Sequence, residues 1–129
     1  MGNFKKLKVW QAAHSLTCHV YRGTASFPKT EAFGLTSQLR RSAASIAANI
    51  AEGCGRNGDV ELSRFLRISL GSAAELEYHL LLSRDVGLLD DPAYKGLSSE
   101  AREIQRMLAG LTRALKTKSS HRPIADSDS

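Results

Sequence analysis

Two short patterns in this sequence contain residue types that could do chemistry. Residues 53–58 read GCGRNG, which matches the G-x-G-x-x-G pattern of loops that bind dinucleotide phosphates. That chemistry requires a strand before the glycines, and a helical pattern precedes these, so we interpret the run as a turn between helices. Glu75 and His79 are four residues apart, but di-iron sites in bundles use Glu-x-x-His twice, and the preceding helix supplies no second copy. The sequence therefore predicts no cofactor, no metal site, no small-molecule substrate and no enzymatic activity.

A line of hydrogen-bonding side chains follows one side of a predicted helix. Its members step by four, three, four and three residues, which places them on one face: Gln38, Ser42, Ser45, Asn49 and Glu52. An apolar stripe runs beside it, formed by Leu35, Leu39, Ala43, Ile46 and Ile50. We interpret the polar stripe as hydrogen-bonding contacts within the bundle or between subunits. We expect Glu52 to pair with Arg40 or Arg41 of another helix or subunit.

Positive side chains are the candidates for binding an acidic partner. Arg40 and Arg41 are adjacent on one helix and point to different sides, while a second group falls on one side of the last helix: Arg102, Arg106, Arg113 and Lys116. The net charge is +5, and residues 1–60 hold eight Lys or Arg against three acids. These six side chains predict binding to RNA or DNA phosphates, by shape and backbone because no aromatic RNA-recognition motif is present. The alternative is that the stripe on the last helix is an ordinary solvated face, since Glu100 and Glu103 reduce its positive charge.

The elements that position these residues are helices. With 129 residues, three prolines and 6% aromatic residues, the chain fits one all-α domain. Apolar spacing and helix-stop signals predict helices over about 7–24, 31–52, 60–86 and 92–116, with Gly53 ending the second and Asp91 capping the fourth. Short loops make neighbouring helices antiparallel, so we expect an up-down-up-down four-helix bundle over residues 1–116. Residues 117–129 are polar and irregular, and we expect them to be disordered.

The predicted third helix has two seams, meaning two lines of side chains on different faces. Packing within one bundle needs only one such seam. The second seam is largely apolar and consists of Phe65, Ile68, Ser72, Glu75, His79 and Leu82. Monomers avoid exposing such a patch, so it predicts a subunit interface. Gly71 in the same helix costs stability unless something packs closely against it. The alternative is a wide core contact within one subunit.

The longest motifs carry a family resemblance. They read FPKTEAFGLTSQLRRSAASIAANIAEG from Phe27 and RFLRISLGSAAELE from Arg64. Together they resemble the four-helix-bundle proteins encoded in intervening sequences of 23S ribosomal RNA genes, from Phe4 through the fourth helix. The resemblance implies a left-handed bundle that forms a ring-like homopentamer, and kinship with the accessory protein of diversity-generating retroelements, which works with a reverse transcriptase and binds nucleic acid. Ala47 stands where many relatives have proline, and Ser42 where many have alanine.

The sequence thus predicts a non-enzymatic, oligomeric adaptor that binds itself and either RNA or a nucleic-acid enzyme. The alternative function is a pure protein–protein scaffold without nucleic acid. No apolar run of about 18 residues is present, so we expect no membrane span. The N-terminal residues lack the apolar stretch of a secretory signal, and two cysteines are too few for a disulfide framework, so we expect a cytoplasmic location.

Overall fold

Four helices make up most of the computed structural model, which describes residues 2–120. Their bounds are α1 Lys8–Thr24, α2 Leu35–Cys54, α3 Asp59–Asp85 and α4 Asp91–Ser120, and the described range contains no strand. Short 3₁₀ helices cover Phe4–Lys6 and Lys29–Glu31. The all-α, four-helix prediction is therefore confirmed. α4 continues to Ser120, past the predicted end at residue 116, and the rest of the predicted tail, 121–129, lies outside the described residues.

The starts of α2 and α4 differ from the predicted ones in their capping residues. α2 begins at Leu35 instead of residue 31, and the Glu31 carboxylate accepts a hydrogen bond from the Leu35 amide at 3.3 Å. Asp90, not Asp91, caps α4, because its Oδ1 accepts from the Ala93 amide at 2.8 Å. Both acids satisfy amides that a helix start leaves without partners.

Gly53 lies inside α2, not at its end. The helix continues to Cys54. A Cβ atom on Gly53 would lie 2.9 Å from the Phe65 Cβ and 3.1 Å from the Leu62 Cδ1. The glycine is therefore explained by the close approach of α3, whereas positive φ occurs at Gly58 and Gly87.

One hydrophobic core lies between the four helices. α1 packs on α2 and α4, and α3 packs on the same two helices. The largest fully buried apolar side chains come from every helix: Leu16, Val20, Leu39, Ile46, Ile50, Leu66, Leu76, Leu80, Ile104 and Leu108. Surface grooves lie between α3 and α4, between α2 and α3, and between α1 and α4.

No helix within residues 2–120 combines the length and the apolar character needed to cross a membrane.

Candidate nucleic-acid and subunit surfaces

Arg40 joins the first two helices. Its guanidinium lies over the ring of Tyr21, 4.6 Å from the centroid. Its Nε donates a hydrogen bond to the Thr24 Oγ1 at 2.9 Å, and its Nη2 donates to the Tyr21 carbonyl oxygen at 3.3 Å. These contacts hold α2 against the end of α1 and use two of the five N–H donors of an arginine.

Two of the predicted α4 cations are already paired with carboxylates. The Arg102 Nε lies 3.4 Å from the Glu77 Oε2 on α3, and the Arg106 guanidinium pairs with Glu103 one turn before it. Neutralised cations attract phosphate weakly, because a bound anion must compete with the carboxylate. The α4 stripe is thus a less uniform positive surface than its spacing predicts.

Arg41, Arg113 and Lys116 form no ion pair within residues 2–120. Lys116 lines a groove of about 420 Å³ between α3 and α4 together with Arg67, which sequence reasoning missed. We call this the basic groove, and its polar lining includes Ser63, Arg67, Thr112 and Lys116. Arg67 and Lys116 are 49 positions apart, so helical spacing gives no signal that joins them. The carboxylate of Asp59 in the same groove pairs with Lys118, at 3.5 Å.

Most of the polar stripe of α2 lies along the seam with α3. The hydroxyl oxygens of Ser45 and Ser72 are 2.9 Å apart, and the Asn49 Nδ2 donates to the Ser45 Oγ at 3.0 Å. The Ser42 hydroxyl donates to the Gln38 carbonyl oxygen at 2.8 Å. These bonds satisfy polar groups within the chain, as hydrogen-bonding contacts of a bundle should.

The same stripe opens into a polar groove at one end. The groove measures about 440 Å³ and is lined by Gln38, Arg41, Ser42, Ser45, Ser72 and Glu75. Glu52, the last member of the stripe, instead pairs with Arg56 one turn later in the chain, with 3.6 Å between Nε and Oε2. Within the described residues Glu52 therefore pairs with neither Arg40 nor Arg41, which were its expected partners.

The predicted interface on α3 divides into inward and outward members. Phe65 and His79 are buried within the chain, and Ser72 bonds to α2. Ile68 is 41% exposed, Glu75 is exposed and Leu82 is half-buried. The Glu75 carboxylate lies 3.2 Å from the His79 Nε2. The subunit interface stays a prediction, and Ile68, Glu75 and Leu82 are the members available for it.

Further exposed apolar residues extend this outward side. Val60, Tyr78 and Val86 are 73%, 58% and 57% exposed. A Cβ on Gly71 would meet no atom within 4 Å. We call this surface the outer face of α3 and define it as Val60, Ile68, Gly71, Tyr78, Leu82 and Val86. Helical spacing places all six within about 80° of arc, a signal that was available in the sequence.

Shifted pKa values in the described chain have local causes. Burial raises the pKa of the Cys54 thiol, so it stays protonated and is a poor nucleophile. A hydrogen bond from Arg64 lowers the pKa of Glu61. Among residues 2–120, no three His, Cys, Asp or Glu side chains gather as metal ligands would.

Comparisons with known proteins identify relatives of this four-helix chain. A family model described as 23S rRNA-intervening sequence protein matches residues 5–110. Among solved structures, a crystal structure of a protein of unknown function from the S23 ribosomal protein family of Bacteroides thetaiotaomicron has a TM-score of 0.73. The two sequences are 23% identical, and the match covers 81% of this chain and 97% of that one. At this identity the likeness shows the fold alone. A comparison with curated proteins finds no match.

Proposed function

The chain belongs to the 23S rRNA-intervening sequence protein family, and we propose that it is a non-catalytic, cytoplasmic module that assembles with itself and binds RNA through the phosphate backbone. The single observation that supports RNA binding best is the basic groove between α3 and α4. It brings Arg67 and Lys116 together without an ion-pair partner for either within residues 2–120.

The chemistry of the basic groove fits a phosphate. Two cations neutralise the charge of the phosphate oxygens, and the Ser63 hydroxyl lines the same groove, whereas the Thr112 hydroxyl donates to the Leu108 carbonyl oxygen at 2.8 Å. Arg113 is three residues before Lys116 on the same helix and extends the positive surface by one turn. Contacts of this kind hold the nucleic-acid backbone without selecting a base sequence.

The dependence of affinity on salt tests this function. Titration of the full chain against a labelled, structured RNA should give a log affinity that falls linearly with log salt. Replacing both Arg67 and Lys116 by alanine should make this negative slope shallower, by about 0.7 to 0.9 for each phosphate that the protein no longer neutralises.

Arg106→Ala is the matched control, because Glu103 already neutralises that guanidinium. Its slope should stay near that of the original chain. Absence of RNA binding at low salt, or equal slopes for the groove variant and the control, would contradict the proposed function.

We also propose an up-down-up-down, left-handed bundle that assembles as a homopentamer. Contacts between neighbouring helices support alternating directions: Asp59 of α3 pairs with Lys118 of α4, whereas Glu77 pairs with Arg102. Family resemblance supports the handedness and the pentamer. Light scattering of the eluted protein tests the assembly, since a mass near the 14.0 kDa of one chain would refute it.

The second candidate function is a protein–protein scaffold that binds no nucleic acid. The outer face of α3 favours it, because Val60, Tyr78 and Val86 are each more than half exposed. Exposed apolar side chains that gather on one side of a helix are a feature of protein-binding surfaces. The RNA titration separates the two functions, because a pure scaffold gives no salt-dependent RNA affinity.

A further inference from the structure

A row of stacked rings lies along one side of α1, outside the surfaces described above. The Phe4 ring meets the Trp10 ring edge-on, with 5.0 Å between centroids. Trp10 and His14 lie face to face, with centroids 5.0 Å apart and planes 4° from parallel. In such offset stacking only one face of the last ring meets its neighbour in the row.

The last ring in the row belongs to His14, which is exposed. The face of His14 that does not meet Trp10 turns toward the second half of α1, where the Cys18 Sγ lies 3.8 Å from the His14 Nε2. Tyr21 lies there, 46% exposed, with the Arg40 guanidinium over its ring. Trp10, His14 and Tyr21 fall within about 40° of arc on the helix. His14 and Tyr21 are seven residues apart, or about 10 Å along the axis.

Positive charge surrounds these rings without nearby acids on the same segment. Residues 1–30 contain no Asp or Glu. Lys5 and Lys6 are exposed before the start of the row and Arg22 after its end, and none of them forms an ion pair within the described part of the chain. Lys8 is exposed too, but it lies on the side of α1 that carries His19. Glu100 approaches α1 on the opposite side, where it pairs with His19 at 2.9 Å.

We propose that this side of α1 is a stacking site for unpaired nucleobases of a single-stranded RNA segment. A base stacks on the face of His14 that does not meet Trp10, and the flanking lysines and Arg22 hold the phosphates on either side. Proteins bind single strands by this combination of rings and cations, because every unpaired base offers a flat face. A base within a duplex is covered by its neighbours and does not fit. The proposal rests on the proposed RNA-binding function and adds the type of RNA segment.

The experiment compares one labelled oligoribonucleotide of about 12 nucleotides, a length within known single-strand site sizes, as a single strand and annealed to its complement. Fluorescence anisotropy with the full chain measures both affinities. His14→Ala should weaken binding of the single strand by about five- to a hundredfold and leave the duplex unchanged. His14→Phe, which keeps a flat ring, should restore the single-strand affinity. Emission from Trp10, the one tryptophan of the sequence, should change only with the single strand.

His19→Ala is the matched control, a histidine of the same helix on the opposite side. It should leave the affinity for the single strand unchanged. If the original chain binds RNA but His14→Ala and His19→Ala behave alike, the stacking site is wrong while the proposed function stands. If the original chain binds neither RNA at low salt, the proposed function fails, and the stacking site fails with it.

Discussion

Gly53 is the residue at which α2 and α3 approach most tightly among the glycines described. The Phe65 side chain occupies the space that a Cβ on Gly53 would need. The Phe65 ring in turn lies beneath the guanidinium groups of Arg56 and Arg64, at 5.2 and 4.5 Å from its centroid. A change at Gly53 therefore disturbs the core and a surface cluster of charge at once.

Gly53→Ala should lower the free energy of unfolding by about 1 to 3 kcal/mol, the usual range for overpacking a well-packed site. The destabilisation should appear even though alanine is the better helix former by about 1 kcal/mol. Urea denaturation at one fixed protein concentration measures it, since self-association would make stability concentration-dependent.

Gly110→Ala is the control, because a Cβ on Gly110 in α4 would meet no atom within 4 Å. That variant should be as stable as the original chain or more stable by up to about 1 kcal/mol. If Gly53→Ala proves equally stable, the tight approach of Phe65 does not exist as described.

At the scale of elements, apolar periodicity is enough to predict four helices but not where each begins. The pattern favours a start of α2 at Glu31 because glutamate is a good helix former. In the structure Glu31 instead belongs to a 3₁₀ turn and caps α2 from outside. A carboxylate that caps a helix from outside and a carboxylate in the first helical turn lie only a few residues apart in the sequence. Spacing alone therefore cannot show which of the two roles Glu31 has.

Periodicity also identifies faces without identifying their partners. Helical spacing shows that the polar side chains from Gln38 to Asn49 share one face of α2. Their contact with Ser72 depends on how α3 packs against that face. Likewise, the positive side of α4 is evident in the sequence, but the neutralising carboxylate of Glu77 comes from another helix, 25 positions before Arg102. Spacing gives the charges on a face, whereas the candidate site depends on which charges remain unpaired after packing.

At the scale of the whole molecule, positive side chains that form no ion pair within residues 2–120 gather on separate surfaces. Several acids are held in ion pairs, such as Glu77 with Arg102 and Glu103 with Arg106. Lys5, Lys6 and Lys8 at one end of α1, and Arg67 and Lys116 between α3 and α4, form no ion pair within residues 2–120. Repetition of both surfaces in an oligomer would multiply the number of phosphates held per RNA, which raises avidity without any new type of interaction.

Assembly through the outer face of α3 can be tested at Gly71. In one isolated subunit a larger side chain there meets open space. Gly71→Leu should therefore leave each subunit folded, while a closely packed interface at this face would no longer have the space it needs. We expect light scattering to show a smaller assembly or the 14.0 kDa monomer, with unchanged helical circular dichroism.

Gly96→Leu is the matched control, since Gly96 on α4 is exposed and equally open around its Cβ position. It should leave the assembly mass unchanged. If Gly71→Leu and Gly96→Leu assemble alike, the outer face of α3 is not where subunits meet. The glycine would then have no structural reason, because its helical cost of about 1 kcal/mol relative to alanine is not offset by any contact within the described chain. Disruption of the assembly at Gly71 alone would instead explain why α3 keeps a glycine in the middle of its exposed side.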